Sequence, residues 1–329
     1  MDEFGWQVLD LDDAAESARI EQRLREVTAQ TLRRRGLVVA ISGGIDSSVC
    51  AALAVRALGA ERVFCLILPE RDSDADSAAR AQILVDHLGL RVQTTDIAPV
   101  LEAIGCYAAR DAAVRAVLPD YGETWKMKLV IGGGAHGGIN RFHVVARRPD
   151  GTLFERELGL SEYLTIVAAT NFKQRIRKTL EYFHADRLNY AVVGTPNRLE
   201  YDQGFFVKNG DGSADVKPIA HLYKTQVYAL ARSLGLPERL CNAAPTTDTY
   251  SLEQGQDEFY FALPYRAMDL ALWASNHEVP AGELARVLGI EPAQAEAVYT
   301  DIRNKRRTTR YLHLPPQLLG DVAEAGRAA

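Results

Sequence analysis

The chain has 329 residues, 47% of them hydrophobic and 25% charged, and carries a formal net charge of −5. That is enough chain to bury a substantial core in one large domain or two small ones, and no long basic block marks a dominant nucleic-acid surface. No apolar run approaches the ~18 residues a spanning helix requires, and the acidic start "MDEFGWQVLDLDD" lacks the basic and apolar regions of a signal peptide, so a cytoplasmic protein is expected.

Residues 12–35 are charged with apolar positions at helical spacing (Ile20, Leu24, Val27, Leu32) and read as a surface helix. "LVVAI" (37–41) is a short continuous apolar run, as expected of a strand buried on both faces. "SSVCAALAVRALG" then reads as a helix closed by Gly59, and "RVFCLIL" (62–68) as a second buried strand. "SDADSAARAQILVDHLG" predicts a helix ending at Gly89, followed by a third strand in "RVQTTDI". The alternation predicts a parallel, doubly wound α/β sheet.

The pattern breaks at about 106–160. "GGGAHGG" (132–138) is a glycine-rich loop, and "RFHVVARRPDGTLFERELGL" holds two strand-like runs around the turn signal Pro149-Asp150-Gly151. This stretch is an excursion from the sheet. "EYLTIVAATNFKQRIRKTLEYFHA" (162–185) returns to a long helix, "LNYAVVGT" (188–195) is a fourth buried strand, and "YKTQVYALARSLG" (223–235) is a helix closed by Gly235. From about 264 the tail is helical to Lys305 and then basic and irregular.

Two motifs mislead. "GGGAHG" (132–137) matches G-x-G-x-x-G, but the strand-like "INRFHVV" follows it where a dinucleotide site needs a helix. "AGELARVLGIEPAQAEAVYTDIRNKRR" (281–307) resembles a helix–turn–helix, yet the acidic chain has no basic face elsewhere. The four cysteines, Cys50, Cys65, Cys106 and Cys241, form no C-x-x-C pair and read as reduced, mostly buried thiols.

The chemistry starts at "VVAISGGIDSSVC" (38–50). Ser42-Gly43-Gly44 ends the first strand, and Asp46-Ser47-Ser48 opens a helix. In doubly wound sheets ligands bind at the carboxyl ends of strands, and a helix start suits a phosphate. Asp46 would repel that phosphate unless Mg²⁺ stands between them. The plainer reading is a tight strand–helix turn with an Asp or Ser cap. Glu200 follows the fourth strand by a short loop, so it can lie beside Asp46 at the same sheet edge, where the two carboxylates could hold one Mg²⁺; alone it would be a solvated surface acid. Asn171, Arg175 and Lys178 fall on one helical face, which by itself is an ordinary solvated face. Lys224 opens a helix against the macrodipole, a misfit that favours an anionic partner.

S-G-G-x-D-S resembles the pyrophosphate loop of the ATP pyrophosphatases, which cleave ATP between the α and β phosphates and adenylate a substrate oxygen. "VVGTPNRLEYDQGFFVKNGDGSADVKPIAHLYKTQV" (192–227), "NFKQRIRKTLEY" (171–182) and "APTTDTYSLEQGQDEFYFALPYRAMD" (244–269) resemble the ammonia-dependent NAD synthetase family within that superfamily. The resemblance covers roughly residues 20–110 and 160–310. It implies one domain over 1–329 with an atypical insertion at about 111–160. It also implies a five-stranded, adenine nucleotide α-hydrolase-like sheet and a helical C-terminal tail.

By the same resemblance Ala40, Ile41, Ser42, Gly43, Gly44, Ile45, Asp46, Ser47, Thr195, Lys224 and Thr246 bind ATP, with Asp46 and Glu200 on Mg²⁺. Arg175, Lys208, Asp215, Asn304 and Lys305 belong to the deamido-NAD side. The chain departs from the family at Asn304, where the family has His, at "YFALPY" (260–265), and in the insertion. The implied reaction is adenylation of a carboxylate by ATP and transfer of ammonia, free or from a separate amidotransferase. The implied assembly is a homodimer whose subunits share the deamido-NAD site, with helix 162–185 (Ile166, Val167, Ile176) at the interface. The alternatives are the same chemistry on another carboxylic acid, a nucleotide-binding protein without turnover, and a tRNA-modifying ligase. The last is disfavoured by low basic content and no Cys pair beside the loop.

Overall fold

Short aliphatic runs form the centre of the molecule. In the computed structural model, which describes residues 4–132, 141–243, 250–253, 260 and 263–320, β1 (Leu37–Ala40), β2 (Val63–Ile67), β3 (Arg91–Thr94) and β7 (Ala191–Val192) make a parallel sheet in the order β3-β2-β1-β7. The register pairs Val38 with Phe64 on one side and with Val192 on the other. Side chains alternate between the two faces. Leu37 and Val39 of β1 and Val63, Cys65 and Ile67 of β2 join one core, while Val38, Phe64 and Leu66 join the other. Both faces are therefore apolar, and both are covered by helices.

One face packs α1 (Asp13–Glu26), α2 (Ile45–Leu58), α3 (Ala75–Leu88) and α8 (Lys224–Ser233). The other packs α4 (Ala98–Ala103), α5 (Cys106–Val117) and α6 (Leu160–Leu188). Gly59 and Gly89 close α2 and α3 at φ +86 and +61, as expected. The expected fifth strand is reduced, among the described residues, to a single bridge between Val193 and Val216. Asp215 there spends its carboxylate on the Val192 N–H at 2.7 Å, and the chain turns away instead of continuing a ladder.

The excursion is a second sheet, β4 (Lys126–Gly132), β5 (Arg141–Arg147) and β6 (Leu153–Glu157), antiparallel throughout. Its β5–β6 hairpin turns as predicted, with the Arg148 N–H donating to the Thr152 carbonyl at 2.9 Å and Gly151 at φ +90. β4 was not expected; its signal is the alternation of Met127 and Leu129, both buried against Trp125, Val144 and Ile166. The proposed loop at 132–138 falls, from Gly133 on, outside the described residues.

The C-terminal part comprises α7 (Arg198–Gln203), α9 (Glu238–Cys241), α10 (Tyr265–Asn276), α11 (Ala281–Leu288) and α12 (Pro292–His313). Gly289 joins α11 to α12 at φ +69, the glycine turn read from the sequence. The basic stretch after Lys305 is helical, not irregular. Arg306 pairs with Asp202 of α7 at 2.7 Å, a long-range contact that a local pattern does not carry. No described helix is long and apolar enough to cross a membrane.

Candidate active site

The loop after β1 turns on glycine. Gly43 takes φ +80, and a Cβ there would stand 2.2 Å from the Ser77 carbonyl oxygen of α3. Only glycine lets α3 pack against this loop. Arg80 of α3 closes the contact, its Nε donating to the Gly43 carbonyl at 3.1 Å. Ser47 and Ser48 donate their hydroxyls back to the Gly44 carbonyl at 3.0 and 2.8 Å. No side chain caps the start of α2, and Ala40 through Ser47 all line one cleft at the carboxyl edge of the sheet. First-turn N–H groups and the positive end of a helix macrodipole suit an anion there.

The opposite wall follows β7. Thr195 and Pro196, between β7 and the short helix α7, and Glu200 on α7 line the same cleft. Asn197 caps α7, its Oδ1 accepting from the Leu199 and Glu200 N–H groups at 3.0 and 3.1 Å, while its own N–H donates to Glu200 Oε2 at 3.2 Å. This capping box fixes Glu200 at the cleft.

Asp46, Glu200 and Lys224 converge here. Asp46 Oδ2 pairs with Lys224 Nζ, and Asp46 Oδ1 accepts from Asn197 Nδ2 at 3.3 Å. Lys224 is 2% exposed. Burial pulls its ammonium down, but Asp46 and then Glu200 outweigh that and hold its pKa above the ordinary lysine value. Cys50 feels the same two carboxylates: burial, then Asp46, then Glu200, push its thiol well up. Its thiol is thereby kept protonated, which leaves no case for a nucleophile.

Asp269 of α10 was not foreseen. It is fully buried and accepts from the Lys224 and Thr225 N–H groups at 3.2 and 2.7 Å, and from Thr225 Oγ1. Burial pushes its carboxyl up to about 6, against the hydrogen bonds from Thr225 and Lys224. Asp269 gives the first N–H groups of α8 acceptor oxygens that the helix itself does not supply, which offsets part of the cost of opening that helix with Lys224. Lys178 and Glu181, paired at 2.6 Å, also line the cleft, as do Arg177 and Arg80. Of the helical face read from the sequence, Lys178 reaches the cleft and Arg175 does not.

The residues expected on the acceptor side gather elsewhere. Arg175 is exposed, its Nε donating to the Lys208 carbonyl at 3.3 Å. Lys208 Nζ donates to the Tyr311 and Leu314 carbonyls at 2.7 and 3.2 Å, at the end of α12. Asn304 is exposed on α12 and accepts from Arg307 at 3.2 Å. Lys305 pairs with Asp301 at 2.5 Å and donates to the Tyr260 carbonyl; burial pulls its pKa down in spite of Asp301. None of these, nor Asp215, is among the residues lining the cleft. Thr246 lies outside the described residues, as do positions 261–262 of "YFALPY".

Asp46 and Glu200 offer hard oxygens with no soft ligand used beside them. Among the described residues no group of three or more His, Cys, Asp or Glu could close a metal site by itself. Two carboxylates to be completed by phosphate and water are a donor set that fits Mg²⁺ and not a closed protein cage.

A family model described as NAD synthase matches residues 16–117 and 150–311. The NH(3)-dependent NAD(+) synthetase of Rhizobium meliloti is 55% identical over 322 residues, covering 98% of this chain and 96% of the relative. The protein of the same name from Thermotoga maritima is 40% identical over 240 residues, covering 72% and 79%. In fold, the chain is similar to the NH3-dependent NAD synthetase structure from Campylobacter jejuni, with a TM-score of 0.62 at 22% identity, covering 94% of this chain and 100% of that one. The family match omits 118–149, which holds β4 and β5, whereas the Rhizobium alignment spans that stretch.

Proposed function

The chain belongs to the NAD synthase family, and from that premise we propose that its cleft binds ATP and that this carbon–nitrogen ligase adenylates the nicotinate carboxylate of deamido-NAD and amidates it with ammonia. The observation that carries the assignment is the meeting of Asp46, Glu200 and Lys224 beside an uncapped helix start. In the first step an acceptor carboxylate oxygen bonds to the α-phosphorus of ATP, and the bond to pyrophosphate breaks. The Ser42–Ser47 loop orients the triphosphate, and Lys224 holds a fixed positive charge for the leaving pyrophosphate. Asp46 and Glu200 would hold Mg²⁺, which when bound offsets triphosphate charge. In the second step the ammonia nitrogen bonds to the acyl carbon, AMP leaves with the electron pair of the broken C–O bond, and the nitrogen gives up one proton.

Thr195 and Thr246 complete the ATP set by family resemblance. Arg175, Lys208, Asp215, Asn304 and Lys305 are assigned to deamido-NAD on the same ground. Their place outside the cleft of one chain suits an acceptor site completed by a second copy, in a two-fold homodimer. The enzyme is read as a single cytoplasmic ligase domain carrying the β4–β6 insertion, supplied with free ammonia or by a separate amidotransferase. The test supplies ATP, Mg²⁺, ammonia and deamido-NAD; NAD and AMP are expected in equal amounts. If NAD does not form while another carboxylic acid gives AMP and an amide, the acceptor is wrong and the adenylating chemistry stands. If no acid yields AMP, both fall.

A further inference from the structure

Asn197 is 1% exposed and uses both ends of its amide. The oxygen caps α7 through the Leu199 and Glu200 N–H groups. The nitrogen donates across the cleft to Asp46 Oδ1 on α2. One side chain therefore touches both elements that carry the two carboxylates. The two ends differ in what they need. A cap requires only an acceptor oxygen, which serine supplies as well as asparagine. The bond to Asp46 requires a donor with the reach of the amide nitrogen. With Lys224 on Asp46 Oδ2 and Asn197 on Oδ1, both carboxylate oxygens are held.

We infer that Asn197 is a positioning residue that fixes Asp46 against Glu200 and so sets the site for Mg²⁺ and the triphosphate. This rests on the assignment of Asp46 and Glu200 to the metal. A donor bond to a charged carboxylate counts for more than one to a neutral acceptor, and its loss leaves Asp46 held at one oxygen alone, by Lys224, so that the carboxylate can pivot away from Glu200.

The test compares wild type, Asn197→Ser and Asn197→Ala by thermal melts without nucleotide. Calorimetric ATP binding with and without Mg²⁺ is then measured well below every melt. Asn197→Ser retains the cap, so it should melt within a few degrees of wild type. Its Mg²⁺-dependent gain in ATP affinity should fall about ten- to a hundredfold, with Mg²⁺-free binding unchanged. Asn197→Ala should lose stability as well. Wild-type Mg²⁺-dependent affinity in the Ser variant would make Asn197 a helix cap alone and overturn the inference. ATP binding needs no acceptor, so a wrong acceptor leaves this result untouched. A wild-type protein that does not bind ATP would overturn the ATP cleft, and this inference with it.

Discussion

At Asp46 and Lys224, removing one charge differs from removing both. The Lys224 side chain is 3% exposed and that of Asp46 16%, so neither charge is well solvated once its partner is gone. Breaking a buried pair from one side costs about 3–5 kcal/mol, whereas replacing both members can be close to neutral. Lys224→Met should therefore destabilise the protein by about that much, and adding Asp46→Asn should recover a large part of the loss in urea melts. Pyrophosphate release should not recover, because the double variant lacks both charges the reaction uses. Asp269 makes a second prediction at this scale. Its carboxyl is held at about 6, above its ordinary 3.8, so the folded protein binds that proton more tightly than the unfolded chain. The sign follows: its contribution to stability is full below pH ~4 and is lost as pH rises through ~6. The stability advantage of wild type over Asp269→Asn should shrink by about 2 kcal/mol between pH ~4.5 and ~7.5, as read from urea midpoints. A gap that widens with pH would mean that Asp269 is ionised across this range and serves as a charged cap.

At the scale of elements, the loop between β1 and α2 depends on how closely α3 approaches it. Gly43→Ala places a Cβ 2.2 Å from backbone, not from a flexible tip, at φ +80. Either the loop or α3 must move, and Arg80 loses its bond to the Gly43 carbonyl. Calorimetry should show ATP affinity lowered at least about tenfold, with the circular dichroism of the helices retained, because the strain sits at the loop and not in the core. This loop was legible in the sequence because its determinants are local: an apolar strand, two glycines, an acid and a helix start within 13 residues. Glu200 was legible from its short distance to β7. Asp269 was not, since it reaches Lys224 across 45 positions and sits in the ordinary helical run "RAMDLALW". The extension of α12 past Lys305 was hidden for the same reason, its support coming from Asp202, 104 positions away. Among the described residues the fifth strand is reduced to its bridge because an Asp side chain takes the place of a ladder bond at Val192.

At the scale of the whole molecule, the insertion changes which residues α6 can offer to a partner. Ile166 is fully buried against Met127, Leu129 and Val144, with Val167 packed at the same core, and Ile176 packs under the sheet. Of these three residues expected at a dimer interface, Ile166 is consumed within the chain, while Val167 and Ile176 are only half-buried. The same helix leaves Leu160 and Leu164 68% and 53% exposed. They stand one turn apart on one face, and Leu153 of β6 is exposed as well. If a second copy covers this face, each protomer contributes both leucines. Already partly covered, the four leucine side chains have about 2.4 leucines' worth of surface left to bury, worth about 3.6 kcal/mol at the low end, or between two and three decades in Kd. Leu160→Glu combined with Leu164→Glu should therefore shift a homodimer to monomer in sedimentation at micromolar concentration. The melting temperature of each chain's own cores should change little, since neither side chain belongs to them. Activity should fall with the dimer if Arg175 and Lys208 of one copy complete the acceptor site of the other, and the loss should appear in the KM for deamido-NAD before that for ATP. A wild-type protein that sediments as a monomer while fully active would remove the shared site, and Arg175 and Lys208 would then have to act within a single chain.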